Sequence, residues 1–184
     1  MRHILLVALM LVPFGDDMNY LRDYGVKIHI VMEDGEGSGS GVYVGDSEIL
    51  TANHLYTEGA TYYTDEKHKE ALVIVKRDET KDLMLMRTTT KKRGVALGTN
   101  PARMDTTFTM GYVMGVANVI LQGRVADFTD DQLLVDSRAT RGMSGGGVFN
   151  TRGRLIGICT ASWGDDHFML ATSVKAIKAF LKGG

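Results

Sequence analysis

The alternation of apolar and polar positions along the chain predicts short strands almost throughout. Val26-Lys27-Ile28-His29-Ile30-Val31-Met32 alternates, Ala71-Leu72-Val73-Ile74-Val75 does so less strictly, and glycine, aspartate or charged turns bound each run. Residues 106–112, 116–125 and 132–136 continue the pattern in the second half. The period changes only at the end, where the apolar residues of 174–181 fall at helical spacing. Short strands so spaced predict a barrel or a sandwich. The polar run 88–94, with its basic triplet Lys91-Lys92-Arg93, reads as a solvated crossing between two barrels, and no internal repeat is present.

Composition narrows the class. A chain of 184 residues with 44% hydrophobic and 23% charged residues can bury a substantial core and is not disordered by default. A formal net charge of −1 predicts no general affinity for nucleic acid or an anionic membrane. The one cysteine, Cys159, lies in the apolar run Leu155-Ile156-Gly157-Ile158-Cys159, cannot form an internal bridge, and reads as a small buried hydrophobe. Stability must then come from packing.

The first 17 residues predict a signal peptide or N-terminal anchor. Arg2 and His3 precede an apolar stretch, 4–12, that is of signal length but too short to span a bilayer comfortably. Pro13-Phe14-Gly15-Asp16-Asp17 is a poor cleavage site, so an extra apolar segment packed on the barrel is the alternative. The protein is expected to be exported, periplasmic or secreted, if the segment is a signal, and otherwise cytoplasmic. No stable membrane span is expected.

Candidate chemistry centres on Arg141-Gly142-Met143-Ser144-Gly145-Gly146-Gly147, a serine among glycines. Upstream, the apolar strand Ile49-Leu50-Thr51-Ala52-Asn53-His54 ends in a histidine, and Lys81-Asp82-Leu83-Met84-Leu85-Met86 opens another with an aspartate. A serine hydroxyl is a poor nucleophile at neutral pH and needs an imidazole to accept its proton, the role suited to His54. A carboxylate such as Asp82 would hold the imidazole in one tautomer and stabilise its cation. The backbone N–H groups of Gly142 and Ser144 are candidates for stabilising the oxyanion.

These blocks, together with Gly37-Ser38-Gly39-Ser40-Gly41-Val42, resemble the chymotrypsin-like serine proteases, most closely the disulfide-free bacterial HtrA (Deg) branch. The likeness spans roughly residues 26 to 182. It departs at Asn53, where the usual motif is T-A-A-H, and at Met143, where the digestive enzymes carry an aspartate and the HtrA branch an asparagine. The activation switch in which that aspartate pairs with a freshly cut N-terminus is accordingly absent. The resemblance implies an all-β fold of two six-stranded antiparallel barrels with a C-terminal helix. The N-terminal barrel, 18–93, would carry His54 and Asp82, and the C-terminal barrel, 94–184, Ser144. Together they would form one protease domain with the site between the barrels, and no PDZ-type peptide-binding domain follows. It also implies that the pocket for the residue before the cut is floored near Arg138 and walled by Thr160, Ala161 and Ser162. Arg138 would either pair with an acidic substrate side chain or turn outward and leave a small apolar pocket.

Other histidines and acids compete less well for these roles. His29 lies in an alternating strand, His68 in a charged hairpin, His3 in the possible signal, and Asp78 precedes a turn; His167 is a loop residue near the expected cleft. No His, Cys and acidic cluster has metal-ligand spacing, and the glycine-rich loops lack the context of a phosphate cradle, so no metal or cofactor is expected. The expected function is a serine endopeptidase acting on proteins or peptides through an acyl-enzyme. An inactive homologue serving as a peptide-binding or structural module, and an esterase using the same triad, are the alternatives. The Ser, Asp, His order of the α/β-hydrolase triad is missing.

Overall fold

The structure is a computed structural model that describes residues 17–64, 70–163 and 167–183. The segment read as a signal or anchor, and His3 and His68, lie outside the described residues apart from Asp17. Twelve strands close into two barrels of six. The first joins β1 (Gly25–Met32), β2 (Gly35–Gly45), β3 (Glu48–Thr51), β4 (Thr61–Tyr63), β5 (Ala71–Asp78) and β6 (Leu83–Arg87) in the order β1-β2-β3-β6-β5-β4. The second joins β7 (Thr106–Val113), β8 (Ala117–Phe128), β9 (Gln132–Asp136), β10 (Gly147–Asn150), β11 (Leu155–Trp163) and β12 (Phe168–Ser173) in the order β10-β11-β12-β9-β8-β7. All ladders are antiparallel, and closure leaves neither sheet with a long free edge. This is the all-β, two-barrel fold expected from the sequence.

Each barrel buries the apolar residues of its strands. Ile28, Ile30, Ile49, Met84 and Met86 fill the first, and Val125, Leu133, Val135, Val148 and Met169 the second. A third cluster, with Val42, Leu50, Leu83, Met110, Phe149 and Leu155, joins them. Into that cluster the C-terminal helix α1 (Val174–Lys182) inserts Ile177 and Phe180. Its start is set by Ser173, whose hydroxyl accepts the Ala176 N–H at 3.2 Å. Ahead of β1, a 3-10 turn (Met18–Tyr24) is capped by the Asp17 carboxylate and buries Leu21 in the same cluster.

The crossing segment acts as a belt rather than a loose linker. Val95 N–H donates to the Tyr43 carbonyl of β2 at 2.8 Å, and Gly98 N–H donates to the Leu155 carbonyl of β11 at 2.8 Å. Gly94 lies so close to β2 that a Cβ would fall 2.2 Å from the Gly45 nitrogen. The polar residues before Gly94 are tied by Glu70, whose carboxylate accepts Thr89 Oγ1 and the Thr90 N–H, both at 2.6 Å.

Candidate active site

β3 delivers His54. The strand ends at Thr51, and a 3-10 turn, Asn53–Leu55, presents the imidazole at the barrel junction, 43% exposed. Asp82 stands at the start of β6, and because β3 and β6 pair with Thr51 opposite Met84, the two side chains meet. Asp82 Oδ2 lies 2.7 Å from His54 Nδ1, and Oδ1 accepts the His54 backbone N–H at 2.7 Å. Burial raises the Asp82 carboxyl, but hydrogen bonds from the His54 ring and backbone, the imidazole's charge and the Asn53 N–H together hold it below the ordinary range. An ionised carboxylate only accepts hydrogen bonds, so in the neutral imidazole the proton belongs on Nδ1 and the Nε2 lone pair is free.

Asp82 adopts φ +50°, a left-handed backbone uncommon for a non-glycine residue. The second barrel braces it: Thr172 Oγ1 donates to the Lys81 carbonyl at 2.6 Å. Asn53 is buried, and its Oδ1 accepts Arg77 Nε at 2.8 Å. The Arg77 guanidinium also stacks 3.3 Å above the Tyr56 ring. The side chain that departs from the T-A-A-H pattern therefore ties the histidine turn to β5.

Ser144 lies in the turn before β10, and its surroundings come from both barrels. Ser40 N–H of β2 donates to the Ser144 carbonyl at 2.8 Å, and Ser40 Oγ donates to the Gly142 carbonyl at 2.7 Å while accepting the Tyr112 N–H at 2.8 Å. Gly145 has φ +83°, and a Cβ there would sit 2.0 Å from Thr51 Oγ1 and 3.1 Å from the Ala52 nitrogen. The serine's neighbour thus presses on the strand end that carries His54. Met143 is fully buried in the second-barrel core beside Val148 and Ile156, an apolar anchor for the turn.

Within this turn the N–H groups are used unevenly. Those of Met143, Gly145 and Gly146 donate to the carbonyls of Thr140, Cys159 and Met143 at 3.0, 2.8 and 2.8 Å. Among the described residues, those of Gly142 and Ser144 have no acceptor. The Arg141 carbonyl accepts the Met114 N–H at 2.7 Å, and in a planar trans peptide the Gly142 N–H must point the opposite way. Gly142 has φ +92°, and a Cβ would lie 2.2 Å from the Tyr112 carbonyl oxygen, so glycine is required.

A cavity of about 720 Å³ opens beside Ser144, and Arg138, Ala161 and Ser162 line it with Cys159. Thr160 lines instead the hollow behind Asp82, and its Oγ1 donates to the Leu170 carbonyl at 3.2 Å. His167, expected from the sequence to lie in a loop near the cleft, lines the main cavity. His29 is buried in β1 with Nε2 3.6 Å from Glu36, and Asp78 accepts the Lys81 N–H in a turn. Cys159 is buried, as its apolar run suggested, and burial, with the Asp82 charge adding, pushes its thiol up to about 12. Among the described residues no cluster of three or more His, Cys, Asp or Glu could hold a metal, and no helix is long and apolar enough to cross a membrane. Ser40, Arg77 and Thr172 were assigned no role from the sequence because they act through long-range contacts that leave no periodic or motif signal.

Comparison with known proteins bears on this arrangement. Residues 39–158 match the profile of the trypsin-like peptidase domain. Two curated relatives, each named as a probable periplasmic serine endoprotease DegP-like, are similar over 67% of the chain. The Bartonella henselae protein is 27% identical and that of Rhizobium meliloti 29%. The chain spans about a quarter of their length, 27% in each case. The serine endoprotease of Yersinia pestis superimposes with a TM-score of 0.79 at 20% identity, over 91% of this chain and 66% of that one. The active form of the Rv3671c protease of M. tuberculosis gives 0.78 at 15% identity, over 87% and 80%. With two closed six-stranded barrels and a profile match across most of its length, the chain belongs to the trypsin-like peptidase family.

Proposed function

We propose that the protein is a serine endopeptidase in which Ser144 is the nucleophile, His54 the general base and Asp82 the acid that orients it. The observation that carries the reading is the Asp82 carboxylate, bonded at 2.7 Å to both the Nδ1 and the backbone N–H of His54. It leaves Nε2 as the proton acceptor. Ser144 Oγ would attack the scissile carbonyl as its proton passes to Nε2, and the unpartnered N–H groups of Gly142 and Ser144 would receive the oxyanion. His54 would then protonate the leaving amine, giving an acyl-enzyme that water hydrolyses by the same steps in reverse. Each oxyanion donor is worth roughly 3–4 kcal/mol of barrier.

The path of the substrate follows from β11. Up to Cys159 this strand is bonded to the β10 side, through the Cys159 N–H to the Gly146 carbonyl at 2.8 Å, whereas residues 161–163 pair only with β12. Beyond the nucleophile turn one edge is therefore open, and an extended peptide can add to it as a strand. Proteins or peptides are the substrates this edge suits. The periplasmic naming of the curated relatives favours export of this protein as well.

A fluorophosphonate probe tests the nucleophile. Labelling is expected on Ser144 and is expected to vanish in Ser144→Ala, together with about 10⁶-fold of the turnover on an unfolded protein such as casein. A Ser144→Ala protein that still cleaves casein at near the wild-type rate, or a wild-type protein that neither labels nor cleaves, would sink the assignment. The second outcome would favour a peptide-binding homologue.

A further inference from the structure

The cavity beside Ser144 is unusual in its charge. Arg138, Arg141 and His167 line it, the remaining lining groups among the described residues are small or neutral, and no carboxylate is among those described. Neither guanidinium has an ion-pair or hydrogen-bond partner among the described residues. Asp136 borders an adjoining hollow that Arg138 and His167 also line, and it forms no ion pair with either of them. Two arginines, both exposed, thus line a cavity that also borders Ser144.

Because Ser144 and the open strand edge, Ala161 and Ser162, bound the same cavity, the side chain that enters it belongs to the residue whose carbonyl Ser144 would attack. A lysine or arginine there would meet like charge. A valine or alanine would leave both guanidiniums without partners in a space it cannot fill. A carboxylate would supply the missing counter-charge, and guanidinium groups pair with carboxylates in planar, bidentate geometry. We propose, on the peptidase reading above, that the enzyme cleaves after acidic residues, with Arg138 and Arg141 as the groups that select the glutamate or aspartate side chain. The cavity is roomy enough for glutamate. Of the two orientations left open by the sequence for Arg138, this assigns the inward one.

The test uses the whole protein and two quenched fluorescent peptides that differ only in glutamate or glutamine before the scissile bond, alongside a peptide pool with every residue at that position. Glutamate is expected to exceed glutamine by at least tenfold in kcat/KM, with acidic residues dominating the sites cut in the pool. Arg138→Gln and Arg141→Gln should each lower the glutamate-to-glutamine ratio by about tenfold, through KM more than kcat, and the double variant should bring it near one. Arg138→Lys should keep part of the preference. The ratio is the readout because a general loss of activity leaves it unchanged. Cleavage after small apolar residues, or a ratio that the variants do not move, overturns the acidic pocket while leaving the peptidase in place. Absence of cleavage together with absence of fluorophosphonate labelling overturns both.

Discussion

Both carboxylate oxygens of Asp82 are taken by one residue, His54, so the acid fixes the ring's tautomer and its position at once. Replacing Asp82 with asparagine would let the amide donate where the carboxylate accepts, which favours the wrong tautomer. Turnover is expected to fall about 10⁴-fold with little change in fold, and steady-state kinetics beside circular dichroism would check it. The same contacts predict the pH profile. Asp82's carboxyl is held below its ordinary value, so its ionised form persists as pH falls past the usual carboxylate range and is lost only lower. Asp82 should therefore contribute no step to the activity profile between about pH 5 and 8, and a carboxylate step in this window would contradict the arrangement. At this scale the sequence singled out His54 and Asp82 at the ends of apolar strands and Ser144 among glycines, and the structure brings the first two together at 2.7 Å. It was uninformative about side-chain direction: Thr160 faces the hollow behind Asp82 while its neighbours face the main cavity, as alternation along a strand requires.

Among the elements, the Ser144 turn is tightly constrained at Gly142 and Gly145. Gly145 combines a left-handed backbone with contact against Thr51 and Ser40, where a Cβ would approach the Ser40 carbonyl oxygen to 2.1 Å. Gly145→Ala must push the turn away from β3, and we expect a loss of about 2–4 kcal/mol, seen as a lower Tm, together with near-complete loss of activity. An alanine variant with unchanged Tm would show that the turn is free to shift. Strand reading from periodicity succeeded where one face is buried: 132–136 is strand β9 at both ends, and 26–32 misses β1 by one residue. It faltered on the three-residue β4, which is too short to alternate, and at the end of β5, which runs on to Asp78 through a register shift near Ile74. Glycine-rich β2 showed no alternation and was recognised only by resemblance.

For the whole molecule, the belt between the barrels determines how the halves are held. Glu70 is drawn down to about 2: its limited burial raises it, and hydrogen bonds from Thr88, Thr89 and Thr90 outweigh that effect. A depressed carboxyl stabilises the fold above its unfolded value, near 4.5, and this support fades as pH falls toward 2. Glu70→Gln should lower Tm at pH 7 by an amount equivalent to about 1 kcal/mol or less, since the group is screened by solvent. The gap between variant and parent should narrow from pH 5 to pH 3, and thermal unfolding at both values would reveal it. A gap that widened would place the effect elsewhere.

The hydrogen bond from Gly145 to the Cys159 carbonyl also bears on when the molecule becomes active. A ribosome adds roughly 5–20 residues per second, so about 5–20 s separate the emergence of His54 from that of Cys159. During that interval the growing chain already carries His54 and Asp82, and then Ser144, but not the strand that shapes the Ser144 turn. On the peptidase reading proposed above, a chain built in this order has no formed site until Cys159 has emerged.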